Sequence, residues 1–295
     1  MNTTYRHVRK AALSLGLALV LLFPVQLFGQ ETLTELLEQA NESGIEPDRI
    51  TEVQNRVDSR GLSEDEFMAV LRPAIEMAGD NLPYEMIFEK VLEGLSKGIP
   101  VQRITPILSS IRDNASRSAR LVDRWIEKPE VGQFVERGEE RMQQGQFRNE
   151  MIKAGSKAMM QNIDEEILSE TLNSISAGNM DRVKPSGLLA AMNILSDLSN
   201  GAVAASENAR IVLKALQSGF EAGDIQKLPA AMNMAQRRSQ LPAEAVGKGL
   251  MQQLERGLPS ERILQNMFNG EIGGGPPGNV PGGIKNNRPG RPGGN

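Results

Sequence analysis

Cysteine is absent from this 295-residue chain, and histidine occurs once, at His7. Without cysteine the protein has no disulfide and no thiolate nucleophile. Beyond its N-terminal segment it also has no imidazole base to activate a serine. The same two absences exclude metal sites built from thiolate and imidazole ligands. The sequence therefore predicts a protein that is not an enzyme and that holds no metal and no cofactor.

The chain is poor in long apolar runs, and the run AALSLGLALVLLF at 11–23 is short for a membrane span. Basic residues precede this run, Pro24 ends it, and Gly29 is a small residue near a suitable cleavage point. This order is typical of a secretory signal peptide, which we place at 1–29. We expect the remaining chain to be exported, to the periplasm or the extracellular space. In the alternative, an uncleaved segment is the route by which the protein contacts a membrane.

The chain also has no excess of basic residues over acidic ones. The chain has 33 lysines and arginines against 37 aspartates and glutamates, and removal of 1–29 leaves 30 against 37, a net charge of −7. Domains that bind nucleic acid usually carry a basic face, so we expect no nucleic-acid partner. The partners that remain are another protein or an anionic polymer, and the oligomeric state stays open.

The chain lacks segments with the alternation of apolar and polar residues that is typical of β-strands, and aromatic residues make up 4% of it. Apolar residues recur instead at helical spacing, which places them on one face of a helix. Examples are Ile104, Ile107, Leu108 and Ile111 in one stripe and Val246, Leu250 and Leu254 in another. The sequence therefore predicts an all-α fold.

Glycine and proline divide the chain at regular intervals of about 16 to 22 residues, so two helices form a hairpin of about 35 to 40 residues. We predict breaks at SGIEP, RGLSE, DNLPY, KGIPV, SNGAV, AGDIQ, SQLPA and RGLPS. The tetrapeptide AAMN occurs at 190–193 and again at 230–233, which supports repetition. We expect antiparallel hairpins stacked as a solenoid-like array or as an irregular bundle.

One ten-residue pattern occurs twice, as LSKGIPVQRI at 95–104 and as LERGLPSERI at 254–263. Its glycines suit the left-handed residue that ends a helix, and its prolines suit the first position of the next helix. We therefore interpret Gly98, Pro100, Gly257 and Pro259 as structural joints and not as a binding motif.

The domain organisation follows from these patterns. We expect one helical domain at 30–270, with lobes at about 31–113 and 178–270 joined by a more charged helical segment at 114–177. That segment is either an insert or a set of diverged repeats. The Gly/Pro-rich stretch at 271–295 has almost nothing apolar to bury and predicts a disordered tail.

One candidate binding site stands out in the segment 112–128. Arg117, Arg120 and Arg124 lie at helical spacing beside Trp125, the only tryptophan. Arginine and tryptophan are enriched at interaction hot spots, so this row is our candidate surface for an acidic partner. The alternative is a solvated face neutralised by Asp113, Asp123 and Glu127, with the tryptophan turned into the core.

These observations predict a non-catalytic, exported helical repeat protein that acts as a binding or scaffold module for another macromolecule. The alternative is a hydrolase of an envelope or extracellular polymer that uses two carboxylates facing each other across a cleft. Acidic residues cluster at Glu136, Glu139 and Glu140 and at Asp164, Glu165 and Glu166. Neighbours on a helix point in different directions, so these clusters do not by themselves form such a pair.

Overall fold

The computed structural model describes residues 32–136, 143–176, 180–198 and 204–272. The expected signal peptide, residues 273–295 of the expected tail, and the carboxylates Glu139 and Glu140 lie outside these residues. The described residues form thirteen α-helices and one short 3-10 helix, Met180–Arg182, with no strand among them. The all-α prediction is confirmed.

The helices are α1 Leu33–Glu42, α2 Pro47–Ser59, α3 Glu64–Gly79, α4 Glu85–Ser96, α5 Val101–Ile126, α6 Pro129–Glu136, α7 Gln144–Met160, α8 Glu165–Ser176, α9 Pro185–Leu198, α10 Ala205–Gln217, α11 Ala222–Ser239, α12 Ala243–Glu255 and α13 Ser260–Asn269. Each odd-numbered helix packs against the next odd-numbered one, from α1 to α13, and these helices form layer A. In layer B, α2 packs against α4, and α8, α10 and α12 follow one another. Extensive packing among the described residues joins helices at most three apart along the chain, so the stack is an open solenoid-like array.

Hydrogen bonds between neighbouring hairpins reveal the repeat length, because several join residues 36 positions apart. They are Arg60 Nη2 to Ser96 O at 3.3 Å, Gln102 Nε2 to Glu66 Oε1 at 2.7 Å, Arg112 Nη1 to Glu76 Oε2, and Ser260 Oγ to Asp224 Oδ2 at 2.7 Å. The separation is 45 where Ser156 of α7 meets the main chain of Ile111. The middle of the chain therefore continues the stack with a longer repeat, and α5 runs through residues 113 and 114 without a break.

Seven joints between described helices share one conformation. Gly98 and Gly257 have φ of 71° and 68°, and the amide of the following apolar residue bonds back five positions, from Ile99 to Gly94 and from Leu258 to Gln253. This is the Schellman arrangement, in which a left-handed residue satisfies the last carbonyls of a helix. Gly44, Gly61 and Gly219 repeat it, and Asn81 and Asn162 take the same left-handed conformation.

The two prolines of the repeated pattern lie one position earlier than we expected. Pro100 and Pro259 are N-cap residues with extended backbone, and α5 and α13 begin immediately after them. One predicted break is also misplaced, because AGDIQ forms the start of α11 and the chain turns just before it, at Gly219. The other punctuation within the described residues coincides with helix ends.

The C-terminal end of the array extends to Ile272, two residues beyond the domain boundary that we expected. Ile272 is buried against α12, where a side chain on Gly249 would come within 2.2 Å of it. The buried amide of Gln253 donates to the carbonyls of Glu271 and Ile272 at 3.3 and 3.2 Å. These contacts attach the end of the described chain to the last hairpin.

Candidate functional site

Helix α5 carries the predicted arginine row and is the longest helix of the structure, with 26 residues. It packs against α3 in layer A and against the preceding α4. Its C-terminal half reaches α8, because α6 has only eight residues and packs mainly on α5 and α7. Helix α5 ends just before the Lys128–Pro129 pair, since a residue that precedes proline is disfavoured in a helix.

The row is exposed along α5, and Lys128 follows it two residues after the helix ends. The side chain of Arg117 is 46% exposed and that of Arg124 is 68% exposed. Arg120 bonds within its own helix, donating to the hydroxyl of Ser116 at 3.2 Å, and its carbonyl accepts from Arg124 Nε at 3.0 Å. The spacing of Lys128 from Arg124 was visible in the sequence, but our prediction missed this residue.

Trp125 lies beneath the row and faces the interior, with 2% of its surface exposed. Its indole N–H donates to the main-chain carbonyl of Leu172 in α8 at 2.8 Å. Its ring stands edge-on to Phe134 of α6, at a centroid distance of 6.3 Å, and tilted against Phe147 of α7, at 6.5 Å. Trp125 therefore joins α5 to three later helices.

The counter-charge to the row comes from Glu165 of α8, while Asp113 and Asp123 pair with other residues. Arg117 Nε donates to Glu165 Oε2 at 3.3 Å, while Arg124 Nη2 lies 3.7 Å from Glu165 Oε1. Of the expected counter-charges, Asp113 pairs with Arg112 at 3.1 Å. Nothing in the local sequence connects Glu165 with residues 48 and 41 positions earlier.

Asp123, another expected counter-charge, belongs to a different contact. Arg148 of α7 holds both of its carboxylate oxygens, at 2.6 and 2.9 Å, and donates to the carbonyl of Asn81 at 2.8 Å. Hydrogen bonds to Asp123 raise the pKa of the half-buried Arg148 guanidinium. This forked contact ties α7 to α5 and to the joint between α3 and α4, and it leaves the arginine row with a positive balance.

A cavity of about 170 Å³ opens between the C-terminal half of α5 and α8, and we call it the α5–α8 groove. Its lining residues are Leu121, Arg124, Trp125, Lys128, Ser169, Leu172 and Asn173. Its floor consists of the almost completely buried Leu121, Trp125 and Leu172. Arg124 and Lys128 form a cationic wall, and Ser169 and Asn173 make the α8 wall polar. Lys128 Nζ spans the two walls, 2.7 Å from Asn173 Oδ1. A cavity of this size accommodates a group about as large as a benzene ring.

The structure therefore divides the predicted site residues into two sets. Arg124 and Trp125 line the groove, whereas Arg117 and Arg120 lie along the same helix outside its lining. The α8 residues of the groove were absent from our prediction, because they adjoin α5 only through the tertiary packing.

Three carboxyl groups among the described residues have a lowered pKa. The pKa is held below its ordinary value at Glu35 and Glu66 by hydrogen bonds from helix N-cap residues, Thr32 and Ser63. It is lowered to about 2 at Glu93 by hydrogen bonds from Lys97 and Lys90.

Three further findings are negative. Among the described residues, no group of acidic side chains has the geometry of a metal site. No helix in this part of the chain combines the length and apolar character that crossing a bilayer requires. Comparison of the chain with protein-family models, with curated proteins and with solved structures found no significant match.

Proposed function

We propose that this chain is a non-catalytic, exported binding module that holds an acidic segment of another protein in the α5–α8 groove. The proposal is carried by one observation, the position of Arg124 and Lys128 at the edge of a cavity floored by Trp125. Cationic heads beside an apolar floor suit a carboxylate next to an apolar side chain. The repeat architecture also supports the proposal, because stacked hairpins expose long surfaces while each core depends only on neighbouring repeats.

The short basic surface favours a protein segment over an anionic polymer. From Arg117 to Arg124 the row covers about 10 Å of helix α5, and Glu165 already contacts it. Towards the N-terminus, residues 32–100 contain 15 acidic and 6 basic residues. A long polyanion would meet repulsion there, whereas a short acidic segment would not.

A direct binding measurement tests the proposal. The probe is a fluorescein-labelled octapeptide in which two glutamates flank a leucine, and its control has glutamines in place of the glutamates. We expect saturable binding of the acidic peptide with a Kd below about 1 mM, weakening as salt is added. Arg124→Glu should weaken that binding at least about tenfold, since it replaces an attraction by a repulsion.

The matched control is Arg262→Glu, which makes the same charge change at an exposed position of α13. This variant should bind the peptide like the wild type, apart from a small effect of net charge. Equal losses in the two variants, or no saturable binding by the wild type, would contradict the proposal. Tighter binding of inorganic polyphosphate than of the peptide, with the same dependence on Arg124, would replace the protein segment by an anionic polymer.

A further inference from the structure

Glu165 supplies the carboxylate that pairs with the arginine row. It lies in the first turn of α8 and faces the arginine row, with 35% of its side chain exposed. A carboxylate in the first turn of a helix is also stabilised by the helix dipole. The protein therefore carries its own anion beside Arg124, which lines the α5–α8 groove.

The two contacts of Glu165 differ in strength. Arg117 makes a hydrogen bond to it at 3.3 Å, while Arg124, at 3.7 Å, is held by charge alone. Arg124 is also the more exposed of the two arginines and the one that lines the groove. A ligand carboxylate could pair with Arg124 while Glu165 keeps its bond to Arg117.

We propose that Glu165 is a specificity-determining competitor, which mimics a ligand carboxylate and sets how acidic a segment must be to enter the groove. This inference rests on the proposed function. A ligand with one weak charge gains little binding free energy from Arg124 while Glu165 remains close to that arginine. A ligand carboxylate that stands next to an apolar side chain gains the attraction of Arg124, and the apolar side chain gains contact with the floor of the groove.

The test is Glu165→Gln, measured with the same labelled octapeptide. Removal of the competing charge should tighten binding about fivefold, which is the effect of one nearby charge at a partly exposed site. The glutamine peptide should bind much as it does to the wild type, because it has no charge to gain. The selectivity for the acidic peptide should therefore rise by the same factor.

Glu166→Gln provides a matched control, because it removes the same charge from the next residue of α8, which is exposed. It should change binding by less than about twofold, through long-range electrostatics alone. Circular dichroism of each variant checks that the helices remain folded.

The outcomes separate the two proposals. If Arg124→Glu abolishes binding but Glu165→Gln and Glu166→Gln act alike, the groove is the binding site and the competitor inference is wrong. If Glu165→Gln weakens binding, Glu165 positions the arginines and does not compete with the ligand. If Arg124→Glu has no effect, the proposed function itself fails.

Discussion

Trp125 and Leu172 are 47 positions apart in the chain, yet the indole N–H of one lies 2.8 Å from the carbonyl oxygen of the other. Trp125→Phe would keep most of the ring packing against Phe134 and Phe147 and would lose this buried hydrogen bond. We expect the free energy of unfolding to fall by about 1 kcal/mol, measured by urea denaturation followed by circular dichroism. Trp125→Ala should cost about 3–5 kcal/mol, because it also leaves a cavity. Equal stability of the Phe variant and the wild type would show that the bond contributes nothing.

The Schellman joints predict a penalty that arises from backbone conformation and not from crowding. A side chain added at Gly98 meets nothing closer than 4.0 Å, but the residue has φ of 71°. Gly98→Ala should therefore lower the free energy of unfolding by about 1–2 kcal/mol. Gly98→Asn should cost less, since Asn81 and Asn162 already adopt this conformation. The thermal denaturation midpoint is the measurement.

Gly79 is the control for this series, because its φ is ordinary and it has open space around it. Gly79→Ala should leave stability unchanged or raise it, as alanine favours the helix. A loss at Gly79 equal to the loss at Gly98 would contradict the conformational explanation.

The close approach of α5 and α7 depends on Gly155 of α7. A side chain on Gly155 would lie 2.2 Å from Ser118 Oγ and 3.3 Å from its Cβ. We expect Gly155→Ala to destabilise the protein by about 1–3 kcal/mol through overpacking. Ser118→Ala in the same chain should recover part of this loss, and a double-mutant cycle measures the coupling. Strictly additive losses would mean that the two positions do not contact each other.

Glu93 predicts a specific dependence of stability on pH. Its pKa is lowered from 4.5 to about 2 by Lys97 and Lys90. A lowered pKa stabilises the folded state above the unfolded pKa, and this stability is lost as pH falls from about 4.5 to about 2. Glu93→Gln should therefore be slightly less stable than the wild type at pH 7, and the difference should vanish near pH 2. The effect is small because the ion pairs are exposed.

Denaturation at several pH values measures this difference. The control is Glu89→Gln, which removes a charge one turn earlier and leaves both ion pairs of Glu93 in place. A Glu93→Gln deficit that persisted unchanged at pH 2 would exclude the ion pairs as its cause.

The sequence predicted the joints well because their physics is local. Gly98 and Gly257, with an apolar residue and a proline after them, contain most of the information that ends one helix and begins the next. The joint at Asn81 lies within the predicted break DNLPY, whereas the joint at Asn162 was missed, since asparagine also occurs within helices. The break at 222–226 was misplaced because it contains Gly223, which lies in the first turn of α11. The joint is made by Gly219 instead.

The groove could not be predicted, because it depends on the length of a repeat. Helix α5 continues through Pro106 and past residue 113, and its last turns lie beside α8. Only this packing brings Glu165 to Arg117 and Leu172 to Trp125. Sequence reasoning supplied the cations and the aromatic ring, while the carboxylate and the polar wall came from a helix that starts 39 residues after α5 ends.

The position of Trp125 has a practical consequence for spectroscopy. It is the only tryptophan in the chain, so fluorescence excited at the red edge of the absorption band comes from one indole ring. That ring forms part of the floor of the α5–α8 groove, and its N–H is bonded to a carbonyl. Its emission wavelength therefore reports the state of the groove without any added label.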